Sequence, residues 1–209
     1  MTIIPGMEHC ADVLTGVYNL PLEFKDRAPV VLDVGANVGA FVIWARDRWS
    51  GCNIISYEPV PENFERFMAN LSGAGHNGCG HRLAVRRCSG QMQIRPGKNN
   101  CGEWSTRTDL GEQEGEPIVV PCMDAADLPQ ADILKLDTEG CELEILERLW
   151  EVKRNAEFKA ILLEWHSESD RMAIDRLLSD NYQMAGAHCH MPERGVAKYV
   201  LRSLVKKKS

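Results

Sequence analysis

The sequence predicts an α/β domain: a mostly parallel sheet with helices on both faces. Three observations carry this. Short β-rich apolar runs alternate along the chain with segments of helical periodicity. The first run, PVVLDVG, ends in a glycine-rich turn, Asp33-Val34-Gly35-Ala36-Asn37-Val38-Gly39, that leads straight into a helical pattern. Later runs end in acidic residues, at Glu58, Asp137 and Glu164. In such sheets the right-handed crossovers place helices on both faces, and the ligand lies beyond the carboxyl ends of the strands.

In chain order, residues 1–28 form an N-terminal segment before the first strand. After the glycine turn, Val38, Phe41, Val42, Ala45 and Trp49 recur at helical spacing, with Arg46, Asp47 and Arg48 opposite. CNIISYE reads as the second strand. PENFERFMANL reads as the second helix, with Pro61 in its first turn, where the missing N–H does no harm. HRLAV is a short third strand. From Arg86 to Met123 glycine, threonine and short strand-like pieces are frequent, which suggests a β-hairpin or an irregular insert able to act as a lid over residues 86–123. Alternation then returns: ADILKLD is a strand, EGCELEILERLW a helix with Leu143, Leu146 and Leu149 or Trp150 on one face, and KAILLEW a strand. Asp170 to Leu178 is a helix, and YQMAGAH and AKYVLRSLV are two last strands. A single domain, 1–209, accounts for all of it.

Composition narrows the function classes. An apolar share of 44% with 26% charged residues is that of a folded globular chain. The net charge of −6 argues against a bulk electrostatic grip on nucleic acid. No apolar stretch approaches the roughly 20 residues that span a bilayer, and MTIIPGMEHCADVL lacks the basic-then-apolar order of a signal peptide. A cytoplasmic chain without membrane or nucleic-acid partner is expected, its eight cysteines mostly free thiols. CGH at 79–81 and HCH at 188–190 have no second half at zinc-site spacing, so no metal is indicated, although Asp137, Glu164 and His166 are of metal-ligating type. The Val- and Leu-rich final strand suits either the interior of the sheet or a homodimer interface.

The glycine turn decides the cofactor class. A dinucleotide loop reads G-x-G-x-x-G, its second glycine admitting the pyrophosphate to the backbone. Here Asn37 stands at that place, a residue that tolerates left-handed backbone and adds an amide. The phosphate loop G-x-x-x-x-G-K-[ST] is absent. Glu58 closes the second strand, where a carboxylate can accept both hydroxyls of a ribose. A ribose acceptor and a tight glycine turn without a phosphate cradle fit S-adenosylmethionine.

The blocks VLDVGANVGAF, YEPVPENFERFMANL and DILKLDTEGCELEIL, in this order and spacing, resemble FkbM-type S-adenosylmethionine-dependent methyltransferases over about Pro29 to His166. The resemblance implies the class I methyltransferase fold, a Rossmann-like, seven-stranded, mostly parallel sheet with a reversed last strand. It implies methyl transfer, commonly to a hydroxyl of a sugar, polyketide or other secondary metabolite, with amide N-methylation of peptides in some relatives. Gly35, Ala36, Asn37, Gly39, Glu58, Pro59, Ala84, Val85 and Asp137 would then hold the cofactor, Asp137 at its methionine end. Thr138 and Cys141 stand where Val and Ala are more usual.

A hydroxyl or amide acceptor must lose a proton, which calls for a base at a strand end. Asp137, Glu139, Glu164 and His166 are the candidates. Trp104, Ser105 and Trp165 are candidate acceptor contacts, since aromatic faces suit sugar rings and apolar chains. An O-methyltransferase of small molecules is the first expectation. N-methylation of a peptide product and a non-catalytic S-adenosylmethionine- or nucleotide-binding module are the alternatives. The missing second glycine speaks against an NAD-dependent dehydrogenase.

Overall fold

The structure is a computed structural model. It describes residues 7, 10–20, 22–73, 79–96, 104–105, 115–191 and 193–205, apart from the Trp104 side chain. Its strands are β1 (Val30–Val34), β2 (Asn53–Tyr57), β3 (Cys79–His81), β4 (Ala84–Arg86), β5 (Gly90–Pro96), β6 (Trp104–Ser105), β7 (Ile118–Asp124), β8 (Ile133–Leu136), β9 (Ala160–Trp165), β10 (Tyr182–Met191) and β11 (Arg194–Leu201). The helices are α1 (Ala11–Leu14), α2 (Ala40–Arg48), α3 (Pro61–Gly73), α4 (Glu142–Glu151) and α5 (Glu168–Leu178). No helix among them is long and apolar enough to cross a membrane.

Seven strands form the main sheet in the order β10-β11-β9-β8-β1-β2-β3. Those from β9 to β3 are parallel, and β11 runs antiparallel to both β9 and β10. The reversed last strand therefore lies inside the sheet, with a partner on each edge. The order turns back between β1 and β8, so their carboxyl ends and that of neighbouring β2 open onto one crevice.

Burial on both faces explains the unbroken apolar runs of these strands. Val31 and Ile133 point to one layer with α2 and α3, built from Tyr18, Phe41, Trp44, Phe67 and Leu71. Leu32 and Leu134 point to the other, with Ile145, Leu146, Leu149, Phe158 and Ile174. Helix α2 is buried over Ala40–Ala45 because the N-terminal segment covers its second side; Tyr18 meets Phe41 edge-on, ring centres 5.4 Å apart. Helix α4 buries Ile145, Leu146 and Leu149, each contributing roughly 1.5–3 kcal/mol. Leu143 and Trp150 lie beside that face and are only half-buried. Helix α5 starts at Ser167, whose hydroxyl accepts from the Asp170 N–H, the usual N-cap bond.

One expectation needs revision and a second gains detail. HRLAV is not one strand: the chain leaves β2's side after His81 and pairs with β7 from Ala84. For the region from Arg86 to Met123 the β-rich alternative holds. Its described parts build a second sheet, β4-β7-β5-β6, in which β5 and β7 are antiparallel from Gly90↔Cys122 to Ile94↔Ile118. A lid between β5 and β7 would fall largely on residues outside those described.

At the far end of the sheet, Asp132 accepts from both terminal nitrogens of Arg27 at 2.6 and 2.9 Å, and from the Val30 N–H at 2.9 Å. Lys159 adds an ion pair at 3.1 Å. This brace ties the starts of β1 and β8 together, opposite the crevice.

Candidate active site

The crevice begins with the glycine turn. Gly35 and Ala36 both donate to the Tyr57 carbonyl, at 2.9 and 3.0 Å, which bends the chain back over the end of β2. Gly35 has φ +82°, and a Cβ there would lie 1.7 Å from the Asp137 carbonyl oxygen, so only glycine fits. Asn37 has φ 49°, the left-handed backbone that an asparagine tolerates.

Glu58 lies behind this turn and is 5% exposed. Its Oε2 accepts from the Asn37 N–H at 2.8 Å and its Oε1 from the Val60 N–H at 2.9 Å. Burial pushes its carboxyl up to about 7, against the pull of those two amides. Each oxygen keeps a lone pair for a further donor.

A cleft with an empty volume of about 660 Å³, open to solvent, runs from here across the sheet end. Gly35, Asn37, Glu58 and Pro59 line its polar end; Leu83, Ala84, Val85, Met92 and Ile94 form an apolar wall; Asp137, Thr138, Glu139 and Cys141 close the other side. Ala36 and Gly39 are not part of the lining. Gly39 (φ +92°) starts α2 instead, its missing side chain leaving room for Phe67. Ser105 is not part of the lining either; it donates its hydroxyl at 2.6 Å to the carbonyl of Glu139, a lining residue. Trp165 is buried at 2% exposure, and its ring packs where a Cβ of Gly195 would be. It borders no part of the cleft. The side chain of Trp104 lies outside the described residues.

Beneath the cleft lies a polar cluster at the ends of β1, β8 and β9. Lys135 is 3% exposed and pairs with Asp33 at 3.2 Å and Asp137 at 3.5 Å, while donating to the Gly35 carbonyl. Burial opposes its charge, but Asp33 and Asp137 outweigh that and hold its pKa above the ordinary lysine value. His166 follows β9. Its Nε2 lies 3.1 Å from Glu139 Oε2 and 3.9 Å from both Asp137 Oδ1 and Glu164 Oε1. Its Nδ1 lies 3.3 Å from Glu142 Oε1. These are charge contacts, off the line of a hydrogen bond. Burial would discharge the imidazole, yet Glu142 and Glu139 keep its pKa well above the ordinary value.

Glu142 is 2% exposed and accepts from the Thr138 N–H at 2.6 Å, the Thr138 hydroxyl at 3.0 Å and the Gly140 N–H. Burial raises its carboxyl, but His166 and these amides overcome that and bring it down to about 2. Thr138 also accepts from the Cys141 N–H at 3.2 Å. The start of α4 is thus served by Thr138 and Glu142, which leaves Asp137 and Glu139 facing the cleft. Glu139 is held at φ 55°, a strained backbone for that residue type. Glu164 is pushed up to about 8, first by burial and then by neighbouring Asp137, with His166 and Arg194 pulling the other way. Arg194, from β11, pairs with Glu139 and lies 3.4 Å from Glu164.

The sheet therefore gathers Asp137, Glu139, Glu164 and His166, as their strand-end positions suggest. Three further members escape a reading by sequence. Lys135 had one signal, a lone cation inside the apolar run DILKL. Glu142 looks like an ordinary first-turn acid, and Arg194 is brought in only by the β10–β11 pairing.

Comparison with known proteins agrees with this geometry. The model of the methyltransferase FkbM domain matches residues 33–184. The chain is 25% identical over 169 residues to hexuronic acid methyltransferase AglP of Haloferax volcanii, covering 78% of this chain and 67% of that protein. It is 26% identical over 212 residues to methyltransferase sdnD of Sordaria araneosa, covering 83% and 77%. Among solved structures, methyltransferase FkbM from Methylobacillus flagellatus superposes with a TM-score of 0.65 at 17% identity, over 90% of this chain. This chain spans about half of that protein, 47%. Aeropyrum pernix fibrillarin, solved with natively bound S-adenosyl-L-methionine, shares the fold with a TM-score of 0.53 at 13% identity. With a match over residues 33–184 and a class I methyltransferase sheet, the chain belongs to the FkbM-domain family of methyltransferases.

Proposed function

We propose that the chain transfers the methyl group of S-adenosylmethionine to a hydroxyl of a small-molecule acceptor, of the sugar, polyketide or secondary-metabolite kind. The observation that carries the cofactor is Glu58: a buried carboxylate with both oxygens anchored by backbone amides, at the mouth of a glycine turn in which Asn37 stands at the place of a dinucleotide loop's second glycine. Such a group fits the two hydroxyls of a ribose, and the wall of Leu83, Ala84, Val85 and Ile94 fits the flat apolar face of adenine. Asp137, across the cleft, suits the ammonium of the methionine end.

S-adenosylmethionine supplies an electrophilic methyl carbon on a positively charged sulfur. The protein's part is to place the acceptor oxygen in line with that carbon, an effect worth roughly 7–11 kcal/mol when alignment is complete. The acceptor's oxygen forms the new C–O bond, the C–S bond breaks with its electron pair going to sulfur, and the hydroxyl proton must go to the protein. Of the four candidates, Glu164 suits that proton transfer best in its ionised form: a carboxyl pushed up to about 8 is a stronger base than an ordinary carboxylate, so activity should rise as pH rises towards that value. His166, held protonated between Glu139 and Glu142, serves better to fix those carboxylates than to take the proton. The hexuronic acid named for AglP supports a small hydroxylated acceptor.

The test is calorimetric titration of S-adenosylmethionine into the wild type and Glu58→Ala, followed by an acceptor screen starting with uronic acids and other glycosides. Binding lost in the variant, and methyl ethers as products, would support the reading. No binding by the folded wild type would overturn it. Methylated amides among peptide acceptors, with no ether formed, would replace the hydroxyl by a peptide nitrogen.

A further inference from the structure

The polar cluster holds more than a methyl transfer needs. Asp137 Oδ1, Glu139 Oε2 and His166 Nε2 come from the loop after β8 and the end of β9, and one ligand atom from each lies within 4.8 Å of the others. Oxygen and nitrogen ligands at roughly 2.0–2.2 Å from an ion stand about 3 Å apart when adjacent and about 4.3 Å when opposite. The 3.1 Å from His166 to Glu139 and the 3.9 Å from His166 to Asp137 fall in that range. His166 is nine-tenths buried, and neither ring nitrogen has an aligned hydrogen-bond partner among the described residues. Its Nε2 is aimed into the cluster, and its Nδ1 faces Glu142 on the other side. A carboxylate behind the far ring nitrogen is what usually orients a metal-ligating histidine.

We propose that Asp137, Glu139 and His166 bind one divalent cation of the manganese type at the floor of the cleft. The mixture of carboxylate oxygens and one imidazole suits such an ion. Charge counting points the same way. Among the described residues, five carboxylates, Asp33, Asp137, Glu139, Glu142 and Glu164, face three cations, Lys135, His166 and Arg194. Asp137 and Glu139 line the cleft, so the ion's open positions would face the acceptor. Resting on the hydroxyl reading above, the ion would hold the acceptor oxygen and make its proton easier to remove, with Glu164 beside it to receive that proton.

The test needs no turnover. Manganese(II) is titrated into the metal-stripped wild type, Glu139→Gln and His166→Ala, following the free-ion resonance by electron paramagnetic resonance. Pulsed measurements on the bound ion read coupling to an imidazole nitrogen. The expected result is one ion per chain in the wild type with nitrogen coupling, affinity at least tenfold weaker in Glu139→Gln, and loss of the coupling in His166→Ala. Should His166→Ala fail to fold by circular dichroism, Glu139→Gln and the wild-type coupling decide. Undiminished free-ion signal in the wild type, absence of nitrogen coupling, or equal binding in Glu139→Gln would each overturn the site. S-adenosylmethionine titrated into the same samples without metal separates the two readings. Cofactor binding without manganese binding removes only the ion site, and the reverse removes only the methyltransferase chemistry assigned to the cleft.

Discussion

Cofactor affinity should depend steeply on pH through Glu58. In the free protein its carboxyl stands at about 7, against an ordinary value of 4.5, because burial penalises the charge. Two ribose hydroxyls donating to the ionised form would relieve that penalty and return the group towards its ordinary value. The largest gain available is then about 3 kcal/mol, or roughly 300-fold in affinity. Between about pH 5.5 and 8 the corresponding change is roughly 30-fold, with affinity rising as pH rises and levelling above 7. Calorimetry across this range measures it, and repeating each titration in buffers of different ionisation enthalpy shows proton release on binding. Glu58→Gln removes the titration. Its affinity should be flat through this group and, at pH 8, about 10- to 150-fold weaker, the cost of roughly 1.5–3 kcal/mol for a lost charge-assisted hydrogen bond. The variant is the necessary control because Glu164 titrates nearby. Stability runs the opposite way: with a folded pKa above the unfolded one, the contribution of Glu58 is fully present below about pH 4.5 and lost as pH rises through 7. Binding should offset that loss, so the thermal shift caused by the cofactor grows with pH. A wild type and a variant with the same pH profile would refute the ribose role of this carboxylate.

Other perturbations have defined outcomes. Gly35→Ala places a methyl 1.7 Å from the Asp137 carbonyl on left-handed backbone, so chemical denaturation should show a loss of more than about 3 kcal/mol together with loss of cofactor binding. Glu142→Gln leaves His166 with fewer anions and breaks the start of α4, for an expected cost of about 3–5 kcal/mol. Because the Glu142 carboxyl lies at about 2, its stabilisation is present above the ordinary carboxylate range and lost as pH falls through 2; the variant should lack that acid-dependent step in pH-resolved denaturation. Arg27→Ala removes a half-exposed partner from Asp132 at the far end of the sheet. A loss of about 1 kcal/mol with unchanged cofactor affinity is expected, and a large change in affinity would mean that the brace reaches the cleft.

The readable part of the site was the part made by neighbours in sequence. Gly35, Asn37 and Gly39 announce a turn, and the turn follows a strand, so its place at the sheet end follows from topology alone. Glu58, Asp137, Glu139, Glu164 and His166 end runs of strand character, and parallel strands deliver their ends to one side. Sequence could not say which of these residues turn inward. Glu142 has the spacing of a surface acid that favours the helix dipole, yet the turn at Gly140 rolls it under Thr138 and against His166. Trp165 alternates with its neighbours Glu164 and His166 and so points away from them into the core. Arg194 needs the pairing of β10 with β11 and of β11 with β9, contacts that leave no local mark. The strand-like pieces of the second sheet were legible, but not their full pairing: Gly90–Pro96 and Ile118–Asp124 are short, and what joins them to Ala84–Arg86 in one sheet leaves no local mark.

The position of β11 has a consequence for the order of events during synthesis. It sits between β9 and β10 although it follows both in the chain. As the chain emerges, β9 therefore presents a bare edge, with Ile161, Leu162 and Leu163 exposed, until synthesis has passed Leu201. The hairpin must then insert its second strand, not its first, against that edge, a non-local step that is slower than closing a simple meander. Until it does, Arg194 is absent from Glu139 and Glu164, and the carboxylates at the cleft floor lack one of their three cations. A nascent chain halted before β11 is thus expected to hold its glycine turn and Glu58 but to expose an adhesive strand edge, the state in which such a domain meets chaperones or aggregates.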